Sequence, residues 1–316
     1  MSNAVLKANP PLLEKMKQHY KESITGQVPA GALFTAKTNG CTITAYKSGK
    51  VLFQGARAEQ EAAKWPAEPA APKTSSSKSI NKKDSKGSSL FSPPPDISAM
   101  SVIGSDEVGT GDFFGPMTVA AAYASRENLL LLKELGVKDS KNLNDAQIIK
   151  IAKDLIKTIP YSLLILHNEK YNIMQASGMT QGKMKALLHN QAITKLQEKM
   201  APEKPEAILI DQFAAPDIYF KHLRGRIFTK ENTYFSTKAE GVHLAVAAAS
   251  IIARYSFLKE FDKLSEKAGF TLTKGAGSKV DEAAARIIKK EGVQALKSYV
   301  KLHFANTEKA KALLNR

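Results

Sequence analysis

Two adjacent carboxylates occupy the most informative point of this sequence, inside the segment Gly104–Pro116, which reads GSDEVGTGDFFGP. An apolar stretch predicted as a strand over Val102–Asp106 leads into Asp106 and Glu107, and a glycine-rich turn follows. Buried carboxylates are costly unless a positive group compensates them. Because successive strand residues point to opposite faces, both acids can serve one site only if the strand stops or bends there. We therefore predict that the strand ends at Asp106 and that the acids face a compensating positive group.

Two further acids close or precede regular elements later in the chain. Asp211 ends the apolar strand predicted over Ala207–Asp211, and Glu240 directly precedes a long helix predicted over Gly241–Leu264. Taken singly, Asp211 could cap a helix, and Glu240 could be a charge that a helix N-terminus stabilises. Four carboxylates without a Cys or His cluster form an all-oxygen set, which suits Mg²⁺ or Mn²⁺ and disfavours zinc. In a basic protein such a set predicts phosphodiester hydrolysis with two ions, one for the attacking water and one for the leaving oxygen.

Neither glycine-rich segment of the chain fits a nucleotide-binding loop. The glycines at 109, 111 and 115 miss the G-x-G-x-x-G spacing, whose third glycine would fall on Phe114. The segment GMTQGKM at 178–184 is one residue shorter than a phosphate loop and lacks Ser or Thr after its lysine. The loop 109–115 offers instead free backbone N–H groups and close approach to a ligand.

The composition favours a polyanionic partner. Lys and Arg number 46 against 30 Asp and Glu, which gives the 316-residue chain a formal net charge of +16. Binding phosphates with such a surplus releases counterions and favours nucleic acid, with acidic membranes as the alternative. Cys41 is the single cysteine, so neither an intrachain disulfide nor a cysteine–zinc cluster can form. We expect a cytoplasmic monomer without a signal peptide or membrane span, since no long apolar segment or helical zipper is visible.

The pattern of elements divides the chain into three parts. Residues 97–316 alternate strands and helices, with helices predicted over Asp145–Thr158 and Gln181–Met200. This alternation predicts a catalytic domain of mixed α/β architecture with a central sheet and C-terminal helices. Residues 66–96 are rich in Pro, Ser and Lys and predict a flexible linker. Residues 1–65 predict a small α/β binding module, with two helices and three strands: Pro11–Ser23, Ala32–Lys37, Cys41–Tyr46, Val51–Phe53 and Ala56–Trp65.

Taken together, these motifs resemble those of the type 2 ribonucleases H. The run DEVGTGDFFGP is similar to the family's first motif, which in ribonuclease HII is closer to DEVGRGPLVGP. Asp139-Ser140-Lys141 resembles its DSK element, Leu209-Ile210-Asp211 its LID strand, and Lys238-Ala239-Glu240 with AVAAASIIAR its block around the fourth acid. The resemblance spans residues 100–310. Glu240 in place of Asp, Thr110 in place of Arg, the tail KLHFANTEK and the separate N-terminal module resemble the ribonuclease HIII branch.

This resemblance implies a ribonuclease H-like fold, cleavage of RNA in RNA/DNA hybrids, and products with 3′-hydroxyl and 5′-phosphate ends. Asp106, Glu107, Asp211 and Glu240 would bind two Mg²⁺ or Mn²⁺ ions, with Asp106 bridging both, Asp211 and Glu240 on one and Glu107 on the other. The backbone of Gly109, Thr110 and Gly111 would contact 2′-hydroxyls, the groups that distinguish RNA from DNA. The remaining substrate contacts would be phosphate contacts from Ser140, Lys141 and Lys238.

The resemblance also implies that the N-terminal module is similar to half of the TATA-binding protein and helps to hold the substrate. Its candidate contacts are one aromatic and three basic side chains: Lys37, Tyr46, Lys47 and Lys50. His167, His189 and His243 are expected to be structural, and Asp112 is left out of the metal site because ribonuclease HII has Pro there.

Three alternatives remain open at this point. The first is ribonuclease HII-like activity on single embedded ribonucleotides, against which Thr110 and Glu240 argue. The second is a hybrid-binding protein without catalysis, which would gain nothing from four acids that face phosphate. The third is another metal-dependent DNA nuclease, which the 2′-hydroxyl-reading loop disfavours.

Overall fold

A computed structural model describes residues 3–26, 28, 32–46, 49–65 and 90–315. The chain divides into two compact units, Met1–Asn81 and Lys82–Arg316. The segment 66–89, most of the predicted linker, lies outside the described residues. In the part of the chain that the structure describes, no helix is both long and apolar enough to cross a membrane.

The N-terminal unit is a four-stranded antiparallel sheet with a helix on one face. The strand order is β1-β4-β3-β2. Its elements are β1 Asn3–Lys7, α1 Pro10–His19, β2 Ala32–Thr38, β3 Cys41–Tyr46, β4 Lys50–Gln54 and α2 Ala58–Ala62. Asn9 caps α1 through its side chain, which accepts from Leu12 N at 2.9 Å, and Pro10 suits the first helical turn. Met16 of α1 packs with Ile43 and Phe53 of the sheet in one buried cluster.

Strand β1 was not predicted from the sequence. It is short, with the sequence NAVLK, and it is defined by its antiparallel pairing with β4, in which Val5 lies opposite Leu52. The two hairpins of the sheet were predicted, and Gly40 adopts φ 88° at the first of them, the left-handed conformation that an Asn-Gly turn requires.

The second unit is built on a five-stranded mixed sheet with the order β7-β6-β5-β8-β9. Its strands are β5 Val102–Val108, β6 Met117–Ala124, β7 Tyr161–Leu166, β8 Ala207–Asp211 and β9 Thr233–Ser236. Its helices are α3 Leu129–Glu134, α4 Asp145–Thr158, α5 Asn168–Ala176, α6 Gln181–Met200, α7 Pro216–His222, α8 Leu244–Ala268, α9 Ser278–Glu291 and α10 Asn306–Ala312. Strand β5 pairs antiparallel with β6 and parallel with β8. The predicted α/β fold with a mixed sheet and C-terminal helices is therefore confirmed.

Both faces of this sheet are covered by helices. On one face α4 and α8 pack in a cluster that contains Val102, Leu155 and Val246, and on the other α6 packs in a cluster with Ile103 and Ile193. This sidedness follows from the alternation of side chains along β5. A third cluster joins the C-terminal helices to Phe113 and Phe114 of the glycine loop. The sheet thereby becomes the rigid layer that carries the acids.

Several boundaries differ from the predictions, among them the helix predicted over Gly241–Leu264, which is α8 Leu244–Ala268. Strand β5 does not end at Asp106 but continues to Val108, because Asp106 and Glu107 stay in register with Ala120 and Val119 of β6. Phe91, assigned to the linker, is buried in the core of the second unit, and its carbonyl accepts from Phe235 N at 2.8 Å. The ordered part of the second unit therefore begins before residue 97.

Replacement of Gly104 by Ala is expected to destabilise the second unit severely. A Cβ at this position would lie 2.2 Å from the backbone N of Val246 and 2.3 Å from the carbonyl carbon of Ala245, so α8 would have to move away from β5. Overpacking of this kind costs about 3 kcal/mol or more when only backbone can yield. Urea unfolding should give this loss in the free energy of unfolding.

The matched control for this change is Gly182→Ala near the start of α6. Its Cβ would have only His222 Nε2 nearby, at 3.9 Å, and Ala is the better helix former. This control should be neutral or slightly stabilising, and equal stability of the two variants would contradict the close approach of α8 to the sheet.

Candidate active site

All four predicted acids line one open pocket of about 270 Å³, together with the glycine loop. The pocket lies beside β5, β8 and the start of α8, and its lining is Asp106, Glu107, Val108, Gly109, Thr110, Gly111, Asp112, Ser140, Lys141, Asp211, Glu240 and Ser250. A larger pocket of about 790 Å³ lies between β7, α5 and α6. That pocket has a mostly apolar lining with a single carboxylate, Glu198, so the chemistry is assigned to the smaller one.

Asp106 is the most buried of the four acids, with 5% of its surface exposed. Its Oδ1 accepts a hydrogen bond from the backbone N of Glu107 at 2.8 Å, and its side chain also bonds to Ser250 of α8. Burial, followed by the negative charges of Glu107 and Asp211, raises the pKa of Asp106 well above its ordinary value. Asp106 therefore lies where a cation would relieve a strongly unfavourable charge.

Glu107 points to the opposite face of β5, toward α6. Its Oε1 accepts from Lys185 Nζ at 2.6 Å, and its Oε2 lies 2.9 Å from His189 Nε2. Burial acts to raise the pKa of Glu107, but the hydrogen bond and charge of His189, with those of Lys185, lower it below the usual range. His189 is itself fixed at its other ring nitrogen by Ser105 Oγ, 2.7 Å away. Glu107 is thus a carboxylate held in its ionised form.

Asp211 and Glu240 are held by backbone N–H groups. Asp211 Oδ1 accepts from Ala239 N at 2.8 Å, which ties the end of β8 to the turn that carries Glu240. Glu240 is buried and accepts from Ser140 N at 2.7 Å and from Lys141 Nζ at 3.1 Å. Burial is the main cause that raises the pKa of Asp211, against the hydrogen bond from Ala239. Asp211 is not the N-cap residue of a helix, but it holds the turn 239–241 through Ala239 N and lines the pocket.

The acids fit divalent ions by the chemistry of their donors. All are carboxylates, which Mg²⁺ and Mn²⁺ prefer, and Asp106 is unfavourably surrounded by like charges. Within the described ranges, no three acidic, His or Cys side chains are already arranged as a set of metal ligands. Lys185 and Lys141 each donate to one carboxylate oxygen, on Glu107 and Glu240. These ammonium groups offset part of the repulsion among the acids.

The glycine loop is anchored on both sides. Gly109 has φ 91°, and Thr110 O accepts from Gln181 Nε2 at 3.1 Å. Asp112 lines the pocket, but its Oδ1 accepts from Gly275 N at 2.7 Å. This contact gives Asp112 a structural role in joining the loop to the segment before α9.

The predicted phosphate contacts differ in their placement. Ser140 is buried, and its Oγ lies 3.0 Å from Ser250 Oγ, whereas the side chain of Lys141 is 68% exposed. Lys238 is exposed at left-handed φ 58° and ψ 40°, and it is not part of the pocket lining given above. Arg254 Nη1 donates to Ser140 O at 2.7 Å and so fixes the turn that Ser140 begins.

The sequence analysis missed several residues that hold this site: Lys185, Ser250, Arg254, Gln181 and Lys301. Lys185 and His189 are four residues apart in α6, so their common helical face was a usable signal. The sequence does not indicate that this face of the helix contacts Glu107. His243 is structural, since its Nδ1 accepts from Ala245 N at 3.0 Å and caps α8.

Comparison with known proteins gives concordant family matches. A family model described as "Ribonuclease HII" matches residues 103–307, and one described as "Domain of unknown function (DUF3378)" matches residues 3–78. Ribonuclease HIII of Bacillus licheniformis is 63% identical over 319 residues, with 100% of both chains covered. Ribonuclease HIII of Bacillus subtilis is 62% identical, with 100% of this chain and 99% of the relative covered.

The structural comparisons agree. The crystal structure of Bst-RNase HIII in complex with Mn²⁺ has a TM-score of 0.68 and 48% identity, with complete coverage of both chains. The structure of Aquifex aeolicus RNase H3 has a TM-score of 0.53 at 23% identity, covers 95% of this chain and 99% of that one, and supports the fold alone. Full-length relatives at this identity, together with the acids gathered in one pocket, show that the chain belongs to the ribonuclease HIII family.

Proposed function

We propose that this protein is an endonuclease that hydrolyses the RNA strand of RNA/DNA hybrids with the help of divalent ions and leaves 3′-hydroxyl and 5′-phosphate ends. The observation that carries the proposal is the meeting of four carboxylates and the loop Gly109–Gly111 in one pocket. A pure hybrid-binding protein would have no use for four acids that repel phosphate. Family membership and the net charge of +16 support the same substrate.

Asp106, Glu107, Asp211 and Glu240 would hold the Mg²⁺ or Mn²⁺ ions, and Asp106 is the most buried of these acids. Bound ions would supply charge for the phosphate transition state and activate the attacking water. Lys185 and His189 keep Glu107 ionised and oriented, and Ala239 N does the same for Asp211. The chain's own donors thus preorganise the carboxylates before the ions arrive.

Strand choice would rest on the backbone of Gly109, Thr110 and Gly111 at the rim of the pocket, since the 2′-hydroxyl distinguishes RNA from DNA. Lys141 and Lys238 carry exposed ammonium groups suited to phosphate. Ser140 would contribute through the turn that it begins, because its hydroxyl is engaged by Ser250.

The activity is tested with one end-labelled RNA strand, annealed to DNA, annealed to RNA, or left single, in Mg²⁺ and separately in Mn²⁺. We expect cleavage of the hybrid alone, and a loss of roughly 10²–10³-fold or more in Asp211→Asn. Asp217→Asn in α7, an exposed acid outside the pocket, is the control and should cleave like the parent protein.

The alternatives give different outcomes in this assay. Tight binding of the hybrid without cleavage in either metal would favour a hybrid-binding protein. Two further substrates are added, a duplex with a single embedded ribonucleotide and an all-DNA duplex. Preferential cleavage of the first would indicate ribonuclease HII-like activity and contradict the proposed specificity. Cleavage of all-DNA duplex would instead indicate a DNA nuclease.

We also propose that the N-terminal unit holds the hybrid through the sheet face opposite α1. Lys37, Tyr46 and Lys50 share that face, because Lys37 pairs with Thr42, and Thr42 and Tyr46 alternate with the buried Ile43 and Ala45. The ammonium groups would bind phosphate and the ring would pack on the sugar or base edge. Lys47, the fourth predicted contact, lies outside the described residues.

The variant that lacks all three side chains, with Lys37, Tyr46 and Lys50 changed to Ala, is expected to bind hybrid roughly tenfold more weakly. The slope of log K against log salt should fall by about two, one for each lost phosphate contact. The control is Lys15→Ala with Lys17→Ala on α1, two exposed lysines on the helix side of the sheet. Equal weakening in both variants would mean a general charge effect and would contradict a defined binding face.

A monomeric state and a cytoplasmic location complete the proposal. The location rests on the lone Cys41, which fits a reducing compartment, and the monomeric state rests on a sequence without a helical zipper.

A further inference from the structure

Lys301 is a fully buried lysine, with 0% of its surface exposed, in the segment between α9 and α10. Its Nζ donates to Asp112 O at 2.8 Å and to Gly115 O at 2.6 Å. Both acceptors belong to the glycine loop, which is 186 residues away in sequence at Gly115. The side chain thus crosses from the C-terminal segment to the rim of the candidate active site.

The backbone of the same segment also pairs with the loop. Lys301 N donates to Phe113 O at 2.9 Å, and Gly115 N donates to Tyr299 O at 3.0 Å. Phe114 and Val300 form an isolated antiparallel bridge. The loop between β5 and β6 therefore receives a short added strand, and Lys301 supplies donors for the carbonyls that this pairing leaves unpaired.

Burial of a lysine side chain at this position is energetically unfavourable. Burial lowers the pKa of Lys301 to about 7, against a weaker opposing effect of Asp112, and transfer of an ammonium group out of water is unfavourable. An apolar side chain would fill the same space without that cost, but it would leave two buried carbonyls with fewer donors. Gly115 O has one other donor, Asn168 Nδ2 at 2.9 Å. Lys301 therefore supplies the loop carbonyls with hydrogen-bond donors that an apolar side chain could not provide.

The other end of the loop is connected to the same cluster. Gln181 Nε2 donates to Thr110 O at 3.1 Å and to Tyr171 OH at 3.0 Å, and Lys301 Nζ lies 5.8 Å from the centre of the Tyr171 ring. Lys301, Tyr171 and Gln181 thus connect both ends of the loop to one buried frame.

We propose that Lys301 is a positioning residue for substrate recognition, which holds the glycine loop in the conformation that presents the backbone of Gly109–Gly111 to the 2′-hydroxyls of the RNA strand. It touches none of the four carboxylates, and it reaches the pocket lining at the backbone carbonyl of Asp112, so it acts through the loop. This inference rests on the proposed function, because it concerns how the same site selects RNA.

The test compares the full-length protein with Lys301→Met, which keeps the bulk of the side chain, and Lys301→Arg, which keeps its charge and donors. Binding to an RNA/DNA hybrid and to a DNA duplex of the same sequence is measured without divalent ions, so that nothing is cleaved. KM and kcat for the hybrid are then measured in Mg²⁺. The control is Lys267→Met, an exposed lysine that bonds to Ser298 Oγ in the same region.

We expect Lys301→Met to lose about tenfold of the preference for hybrid over DNA duplex and to show a KM raised by a similar factor. Its affinity for the DNA duplex should be unchanged, which a general loss of structure would not allow. Lys301→Arg should recover part of the preference, and Lys267→Met should match the parent protein.

An unchanged preference and an unchanged KM in Lys301→Met would overturn the inference. If that variant does not fold, Asn168→Ala removes the second donor to Gly115 O and must shift the preference in the same direction, or the inference is wrong. A parent protein that itself fails to prefer hybrid would contradict the proposed function instead, so the two failures are distinguishable.

Discussion

Replacement of Asp106 by Asn is expected to abolish cleavage while it stabilises the metal-free protein. Asp106 is 5% exposed, and burial together with three neighbouring acids raises its pKa. The neutral amide removes this unfavourable charge but is a poor ligand for a hard cation. Activity should fall by roughly 10³-fold or more, and a gain of about 1 kcal/mol would raise the melting temperature by roughly 2–4 °C.

The stability difference between the asparagine variant and the parent protein should depend on pH. Because the pKa of Asp106 is raised in the folded state, the folded protein binds more protons than the unfolded chain between the two pKa values, and its stability falls as the pH rises through that window. The asparagine variant lacks this loss. Its advantage in melting temperature, measured in a chelator, should therefore grow as the pH rises above the ordinary pKa of aspartate and disappear as the pH falls to that pKa.

Added Mg²⁺ or Mn²⁺ should reverse the order of stability. The ions bind the folded parent protein and stabilise it by mass action, whereas the asparagine variant should respond weakly. Asp154→Asn, an exposed acid on α4, is the matched control and should behave as the parent protein in every condition. A variant at Asp106 that is less stable than the parent without metal would contradict the charge repulsion inferred for this pocket.

The second large effect is expected when either of two glycines of the same loop is changed to Ala. Gly109→Ala should lose stability, whereas Gly111→Ala should lose affinity for the substrate. A Cβ on Gly109 would lie 2.3 Å from Pro116 O, and its φ is 91°, so Gly109→Ala should lose about 1–3 kcal/mol of folding free energy. A Cβ on Gly111 would have nothing within 4 Å. Gly111→Ala should therefore melt like the parent protein, within about 0.5 kcal/mol.

The activity of Gly111→Ala separates substrate recognition from folding. If the backbone of this loop contacts the RNA strand, the added methyl group displaces the ribose, and KM for the hybrid should rise by roughly 10–100-fold. Binding to a DNA duplex should change much less. Normal cleavage by a normally folded Gly111→Ala protein would show that the substrate does not approach this position, and strand choice would then need another origin.

The resting arrangement of the acids explains why both experiments need controlled metal concentrations. Lys141 and Lys185 lie 3.1 and 2.6 Å from carboxylate oxygens of Glu240 and Glu107. These ammonium groups reduce the repulsion among the four acids when no ion is present. Bound ions would add to this compensation, so the metal concentration decides how much repulsion remains.

Much of the fold was predictable from the sequence because its signals are local. The helices Asp145–Thr158 and Gln181–Met200 and the strand Ala207–Asp211 were predicted with the bounds that the structure gives them. Asn144 caps the first of these helices in a capping box with Gln147, a signal carried by neighbouring residues. The elements that were hardest to predict from the sequence are those that depend on a partner strand, such as β1 at the edge of the N-terminal sheet.

The sequence alone determined which residues could do the chemistry: four carboxylates at the ends of predicted elements and a glycine loop. Only the tertiary structure decided how they are held. It placed Asp106 and Glu107 on opposite faces of one continuous strand, and it brought Lys185, 78 residues away, onto Glu107. Side-chain periodicity tells which face a residue occupies, but not which distant donor covers that face. A buried carboxylate or carbonyl takes its partners from wherever the packing brings them, as Lys301 does for the loop.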